Sequence, residues 1–274
     1  RKLIQPISEL TEATKRIGAE QFSVSLPINR GDEIGELAIS FQKMAEQLRE
    51  SDEMRKQFIN DVSHDFQTPL QNIKGYAALL YDKRTTEADR LKYTKIIQSE
   101  TDRLSGLTKQ LLLLTSLDSL TEKLVIESVQ LDVQIKEVLQ RYRWLMEEKN
   151  ISLTAHIDPV SVSGNNAYLE KVWENLLSNS LKYTPSGGII DITVMESKDW
   201  VIVSVQDSGI GIKEENIPYL FDRFYRVDDA RHQEVEGTGL GLAIVKQVVD
   251  LHEGKIEVES KWNEGTVFKI SLPK

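Results

Sequence analysis

The hydrophobic period of this chain changes once, near Asp118, and that change constrains its architecture more than any other feature. Before Asp118 the apolar residues recur at helical spacing. Leu3, Ile7, Leu10, Thr14 and Ile17 are separated by 4, 3, 4 and 3 residues, and Ile34, Leu37, Phe41, Met44 and Leu48 by 3, 4, 3 and 4. Both series are seams of the coiled-coil kind. Between them, in the connector from Gly18 to Gly31, Phe22, Val24 and Leu26 alternate ahead of Pro27, which suits an extended segment laid along a helix pair. Two short helices cannot bury two seams alone, so a second copy of the chain is expected to complete a four-helix arrangement.

The seam does not continue in phase. Its next positions would be Ser51 and Arg55, whereas the apolar residues are Met54, Phe58 and Val62. A shift of this kind reads as a helix end, as a local unwinding, or as a joint between two helical modules. Helical spacing then runs to Asp118, interrupted by the polar stretch from Asp82 to Thr86, which predicts the bend of an antiparallel hairpin. The second arm carries Ile97, Leu104, Leu107, Leu111 and Leu114 on one seam. After Asp118, strand-like runs at 123–128, 151–157, 188–194, 201–206, 255–259 and 266–272 alternate with helices near 131–149, 165–182 and 239–252. That is a mixed α/β domain of about 150 residues, an ordinary size. The most loop-like stretch runs from Arg226 to Gly239.

Composition narrows the function. A length of 274 residues allows two domains and a small third. With 34 basic against 43 acidic residues the net charge is −9, which argues against a general nucleic-acid binder, because neutralising phosphates needs a basic face. The absence of cysteine excludes disulfides, thiol catalysis and cysteine-ligated metals, and is compatible with a reducing cytosol. No run approaches the roughly 18 apolar residues of a membrane span. The chain starts at Arg1 with a helical pattern already running, so it is expected to be a piece of a longer protein.

Three local patterns suggest chemistry. Gly237-Thr238-Gly239-Leu240-Gly241-Leu242 precedes an amphipathic helix, where glycines and a helix N-terminus suit an anion, although such a cluster also serves as a plain turn. Asp207-Ser208-Gly209-Ile210-Gly211 follows the apolar strand at 201–205; its carboxylate can accept a hydrogen bond from an exocyclic amine, and the same residues read equally as an ordinary turn. Asn175, Asn179 and Lys182 share one face of a predicted helix, with Leu176, Leu177 and Leu181 on another, and an amide oxygen there is a possible Mg²⁺ ligand or part of a solvated face.

Taken in order, Asn175 to Thr184, Asp207 to Gly211, Phe221-Asp-Arg-Phe-Tyr-Arg226 and Gly237 to Leu242 resemble the N, G1, F and G2 boxes of the ATP-binding domain of sensor histidine kinases. The resemblance implies the α/β sandwich of the Bergerat type, shared with gyrase-type ATPases and related chaperones, with nucleotide under a lid. It implies that Asp207 binds the adenine amine, that Asn179 holds Mg²⁺, and that Asn175, Lys182 and Tyr183 face the phosphates. Gly209 and Gly211 belong to the first glycine box. Phe221 and Phe224 would anchor the lid, Arg226 would reach a phosphate, and Thr238 and Leu240 with Gly237, Gly239 and Gly241 would contact the nucleotide. Thr266, in the terminal strand pair, would help hold adenine. Where gyrase-type relatives carry a water-activating glutamate, this chain has Asn175, whose amide cannot act as a base near neutral pH. Another phosphoryl acceptor is therefore expected.

Ser63-His64-Asp65-Phe66-Gln67-Thr68-Pro69-Leu70 is similar to the phosphoacceptor motif of the same family. The resemblance makes His64 the acceptor, with Asp65 as its hydrogen-bond partner. Thr68, one turn on, would orient a water for dephosphorylation of a partner, and Pro69 is expected to kink the helix just beyond. Gln67 departs from the basic residue usual there and removes a charge near the transferred phosphate. His156, His232 and His252 are read as structural. The first 50 residues resemble a HAMP signal-relay module, through the paired seams, Pro6, the connector and Asp32-Glu33-Ile34-Gly35.

The expected architecture is thus all-α coiled-coil and four-helix-bundle dimer modules, a HAMP module at 1–50 and a dimerisation and histidine-phosphotransfer hairpin at 51–118, followed by the catalytic ATP-binding α/β sandwich at 122–274. The resemblance implies a homodimer using ATP and Mg²⁺, with a response-regulator protein as partner and no direct nucleic-acid contact. It also implies the cytoplasmic portion of a cell-membrane protein whose transmembrane segment lies upstream.

Overall fold

Residues 4–23, 26, 31–118, 124–227 and 237–274 are described by the structure, a computed structural model. The chain divides into two compact units, residues 1–67 and 68–274. Leu3, Val24, Pro27 and His232, and most of the loop expected between Arg226 and Gly239, lie outside the described residues.

In the first unit, helix α1 (Ile4–Gly18) lies before the long helix α2 (Glu33–Leu80). The Asp32 carboxylate accepts the Gly35 N–H at 3.2 Å, and Glu33 and Glu36 occupy the first turn, so α2 starts with a cap and charges that suit its dipole. Ala13, Leu26 and Ala38 form a small core, with Leu10 and Phe41 packed on it. Leu26 is fixed further by its carbonyl, which accepts from Gln42 Nε2 at 3.2 Å. Of the connector's three alternating apolar residues, Leu26 is thus buried against both helices, and Val24 lies outside the described residues. The seam residues fare otherwise. Ile7, Leu37 and Met44 remain 55%, 57% and 44% exposed, because within one chain small alanines make the close contact. At the phase shift near Ser51 the helix does not end, which removes the helix-end reading.

In the second unit, α2 continues unbroken through Pro69 to Leu80, although proline deletes the bond the Asp65 carbonyl would accept. The predicted bend is a turn closed by Asp82, which accepts the Arg84 N–H at 2.9 Å and pairs with its guanidinium at 2.8 Å. Helix α3 (Glu87–Asp118) is then capped by Thr86 and Asp89, each side chain bonding the other's residue. The arms are joined by Asn72 Nδ2 donating to the buried Glu100 at 2.6 Å and by the Tyr76–Tyr93 ring pair.

Beyond α3 come β1 (Glu127–Gln130), α4 (Leu131–Glu148), β2 (Ser152–Ile157), β3 (Ser161–Gly164) and α5 (Asn166–Tyr183). They are followed by β4 (Ile189–Ser197), β5 (Trp200–Asp207), a 3-10 turn (Glu214–Tyr219), α6 (Gly241–Leu251), β6 (Lys255–Lys261) and β7 (Gly265–Pro273). The main sheet has the order β2-β4-β5-β7-β6, with β2 and β4 parallel and the other pairs antiparallel. Burial alternates along β4, β5 and β7, and on the buried face Ile192, Val203 and Val205 meet Ile135, Val138, Trp173 and Leu177 of the helices. The result is the α/β sandwich the resemblance implied.

One strand expectation and one helix expectation need correction. The run expected at 123–128 forms a strand only from Glu127, with Lys123 outside the described residues, and its partner is the unexpected β3 in a separate two-stranded antiparallel sheet. Ser161-Val-Ser-Gly164 has a single apolar residue and no readable alternation. The last helix starts at Gly241 rather than 239, because Gly239 adopts φ +68, which a helix cannot contain. Buried His252 is structural: its Nε2 accepts the Asn165 N–H at 2.9 Å, so the proton sits on Nδ1, 2.7 Å from the Val248 carbonyl. Burial lowers its pKa, opposed by that carbonyl.

Candidate functional site

The end of β5, the face of α5 and the turn into α6 enclose a cavity of about 380 Å³, within the range of small-molecule sites. Register places Asp207 opposite Thr266 on β7, so both reach the same wall. Asp207 is 5% exposed. Its Oδ1 accepts the Gly209 N–H at 2.9 Å and its Oδ2 accepts the Ser180 hydroxyl at 3.3 Å, while the Thr266 hydroxyl bonds Ser260 at 2.8 Å. Burial raises the Asp207 pKa, and the bonds from Gly209, Ser180 and Thr266 oppose the rise. Each carboxylate oxygen keeps lone-pair capacity on the cavity side.

Helix α5 begins at Asn165, whose side chain accepts the Tyr168 N–H at 3.1 Å, and buries Leu176, Leu177 and Leu181 against the core. Its other face delivers Asn175, Asn179, Lys182 and Tyr183 to the cavity. Asn175 Nδ2 donates to the Lys171 carbonyl at 2.7 Å, which turns Oδ1 toward Gly241: a Cβ built there would lie 2.7 Å from that oxygen. A Cβ on Gly237 would collide with the Lys182 ammonium, so backbone and cation approach closely where an anion would sit. The ammonium also lies 4.8 Å from the centre of the Tyr183 ring. Burial raises the Tyr183 pKa, and the charge of Arg226 works against it.

Thr238, Gly239 and Arg226 complete this end of the wall, with Gly211 on the Asp207 side. Gly209, Phe221, Phe224 and Leu240 do not line the cavity. Gly209 instead hydrogen-bonds Asp207, and Leu240 is fully buried beneath the turn. Phe224 is buried in a left-handed conformation at φ 62 and donates its N–H to the Gly239 carbonyl at 3.0 Å, tying the aromatic segment to the glycine turn. Phe221 is half-buried. Of the loop-like stretch from Arg226 to Gly239, residues 228–236 lie outside the described residues.

Sequence reasoning missed several wall residues. It also missed Ser180, which is buried and does not line the cavity but donates to Asp207, 27 residues away. Gln110 reaches the cavity from α3 and accepts the Thr238 hydroxyl at 2.6 Å across 128 residues, with no local signal at all. Ile210, Ile212, Trp262 and Phe268 supply apolar wall. Near the end of α3, Asp118 accepts from Arg223 and from Gln247, both at 2.7 Å.

In the first unit, the His64 side chain is 80% exposed on α2, with Nδ1 3.7 Å from Asp65 Oδ1, inside ion-pair range. Thr68 follows four residues later on the same helix. Among the described residues no three His, Asp or Glu side chains gather as a metal site.

Comparison with known proteins agrees with this geometry. Residues 164–274 match the histidine kinase-, DNA gyrase B- and HSP90-like ATPase family, residues 54–120 the His Kinase A phospho-acceptor domain, and residues 1–50 the HAMP domain. The heme sensor protein HssS of Staphylococcus saprophyticus is 34% identical over 272 residues, 99% of this chain and 58% of that protein. HssS of Staphylococcus aureus strain MSSA476 is 36% identical over 273 residues, with the same coverage. The chain therefore spans 58% of the length of these relatives. Histidine kinase ThkA, solved in complex with the response regulator TrrA, aligns with TM-score 0.67 and 26% identity over 82% of this chain and 64% of that one. ShkA, solved full-length with AMPPNP, aligns with TM-score 0.59 and 25% identity over 80% of this chain and 45% of that one. With a phospho-acceptor domain and a kinase-type ATPase domain in this order behind a HAMP domain, the chain belongs to the sensor histidine kinases of two-component systems.

Proposed function

We propose that the cavity binds ATP, that His64 receives its γ-phosphoryl group, and that phospho-His64 passes it to an aspartate of a response regulator. The observation that carries this reading is one cavity joining a buried acceptor, Asp207, to a cradle of Lys182, Asn175, Asn179 and the glycine turn. Asp207 with its neighbours suits the adenine amine. Lys182, Arg226 and the backbone of 237–241 suit the phosphates.

The donor set fits Mg²⁺, which takes few protein oxygens and fills its shell with water and phosphate; the Asn179 amide oxygen is the assigned ligand, with Asn175 beside it. When bound, Mg²⁺ neutralises charge on the transferring phosphoryl group. In the transfer, a His64 ring nitrogen forms the N–P bond as the bond from Pγ to the β,γ-bridging oxygen breaks, and ADP leaves with the electron pair. The ring becomes positively charged. Asp65, 3.7 Å from Nδ1, is the carboxylate that would close on the Nδ1 proton during transfer and leave Nε2 as the attacking atom.

Thr68 supports a second activity, dephosphorylation of the phosphorylated regulator, since its hydroxyl stands one helical turn from His64 and can orient water. The exposed seam of Ile7, Leu37 and Met44 supports a homodimer, which would cover that stripe. The reading places the chain on the cytoplasmic side of the cell membrane, with a span upstream of residue 1; no helix among the described residues is long and apolar enough to cross a membrane.

The test is incubation of the protein with labelled ATP and Mg²⁺. Acid-labile, base-stable label is expected in the wild type and in Thr68→Ala and absent from His64→Ala. Label retained by His64→Ala overturns the acceptor assignment. No label in any variant, with ATP still bound, favours a nucleotide-gated scaffold.

A further inference from the structure

The cavity has a wall that the family motifs do not account for. Trp262 sits in the β6–β7 hairpin and lines the cavity, and it is the one tryptophan of four to do so, all four being among the described residues. The ring is not a core residue that happens to touch a void, since it is 37% exposed. Its backbone is clamped beside the Asp207 loop. Asn263 donates its N–H to the Ile210 carbonyl at 2.7 Å, and Ser260 Oγ accepts the Ile212 N–H at 2.8 Å. Gly211, at φ +65, packs so closely on the Lys261 carbonyl that any Cβ would collide, and would stand 3.2 Å from the Trp262 Cα. Gly265 leaves no room for a Cβ against the Asp207 carbonyl. Hairpin and carboxylate are thus held as one rigid piece. The indole is also steadied by Lys213, whose ammonium lies 5.1 Å from the ring centroid.

Asp207 can read only the edge of a planar base, and an edge contact fixes orientation while leaving the faces of the ring to be covered. The apolar surface on the Asp207 side comes from Ile210, Ile212, Phe268 and the indole. Of these the indole has the largest polarizable face and the most surface left to bury. We propose that Trp262 is a contact for the base of the bound nucleotide, setting affinity for adenine beside the edge recognition by Asp207. The inference rests on the nucleotide reading of the cavity and adds to it a residue outside the four motif boxes. It also makes Trp262 a built-in optical reporter, because Trp144, Trp173 and Trp200 lie elsewhere.

The experiment titrates the full 274-residue chain with ADP and, separately, with adenosine, following calorimetric heat and tryptophan fluorescence. Trp262→Ala is expected to weaken both ligands by the same factor, about tenfold, as for loss of one base–aromatic contact. Trp262→Phe is expected to recover most of the affinity yet lose the fluorescence change, with melting temperatures matching wild type in both variants. Wild-type affinity in Trp262→Ala, a fluorescence change that survives in Trp262→Phe, or a loss confined to ADP would each overturn the assignment. Failure of the wild-type chain to bind ADP at all would instead bring down the nucleotide reading and this inference with it, an outcome distinct from the other three.

Discussion

Asp207→Asn separates recognition from stability at the centre of the site. The substitution keeps the shape and removes the charge. Gly209 donates its N–H to Oδ1 at 2.9 Å, so the carbonyl of the new amide must take that position and the NH₂ group must replace Oδ2. The Ser180 hydroxyl, 3.3 Å from Oδ2, can rotate to accept instead of donate. The Gly209 and Ser180 bonds are therefore kept. Toward the cavity the exchange is not satisfied, because an NH₂ group now meets the adenine amine and two donors face each other. Losing a hydrogen bond to a charged acceptor costs about 1.5–3 kcal/mol, roughly 10- to 150-fold in ADP affinity. Stability moves the other way. Burial raises the native pKa of Asp207 above its unfolded value, so the folded state prefers the protonated form, and at neutral pH the ionised group opposes folding. Asp207→Asn should melt at or above the wild-type temperature at pH 7, and the difference should shrink as pH falls through the native pKa. Calorimetric titration with ADP and thermal melts across pH measure both. An Asn variant that binds ADP within threefold of wild type would refute the edge-recognition argument, and one that melts lower at pH 7 would refute the electrostatic one.

Other expectations follow from the same packing. His252→Gln should flatten the acid side of the stability profile: burial depresses the native pKa, so the stability from neutral His252 is complete above its unfolded value of about 6.5 and is lost as pH falls below it, as melts between pH 5 and 8 would report. Replacing Leu37 and Leu48 together by Glu should raise the dimer dissociation constant measured by sedimentation, since each leucine loses about 1.5–3 kcal/mol of burial at the seam; an unchanged dissociation constant would show that the stripe is not part of the interface. Gln134→Leu should destabilise the second unit by about 1–3 kcal/mol in denaturant, because the Trp173 N–H, now donated to Gln134 Oε1 at 2.7 Å, would be buried unpaired.

What the chain discloses depends on how far apart the cooperating residues are. The α5 face was readable because helical geometry alone aligns Asn175, Asn179 and Lys182, and β4, β5 and β7 because each buries one face and so alternates. The two helical seams were readable too, but not their partners: Ala13 and Ala38 pack within the chain and leave Leu37 outward, a choice made by side-chain size across the helix pair. Strand β3 was invisible since four residues with one apolar member have no period, and only pairing with β1 defines it. Gln110 and Trp262 gave no signal for a related reason. Each reaches the cavity through tertiary placement, Gln110 by a bond spanning 128 residues and Trp262 by a hairpin clamped to the Asp207 loop.

The chemistry of the cavity wall explains why phosphoryl transfer, rather than hydrolysis, is the reaction it suits. General-base assistance is worth about 10²–10⁴ in rate, and the position from which a base could act here holds Asn175. Its Nδ2 is committed to the Lys171 carbonyl, so the side chain cannot turn over to offer anything but Oδ1 to the cavity, and an amide oxygen accepts a hydrogen bond without accepting a proton. The other groups near it, the Lys182 ammonium and the backbone of the glycine turn, stabilise negative charge and activate no water. A site so equipped lowers the barrier for departure of ADP but supplies no nucleophile. On the function proposed above, such a site would retain ATP until a nucleophile arrives from outside the cavity, and an exposed imidazole such as His64, with a carboxylate beside its other nitrogen, would meet that need without a base in the ATP site. Under the proposed function, consumption of ATP would be coupled to signalling, since turnover would wait on His64 instead of leaking to solvent.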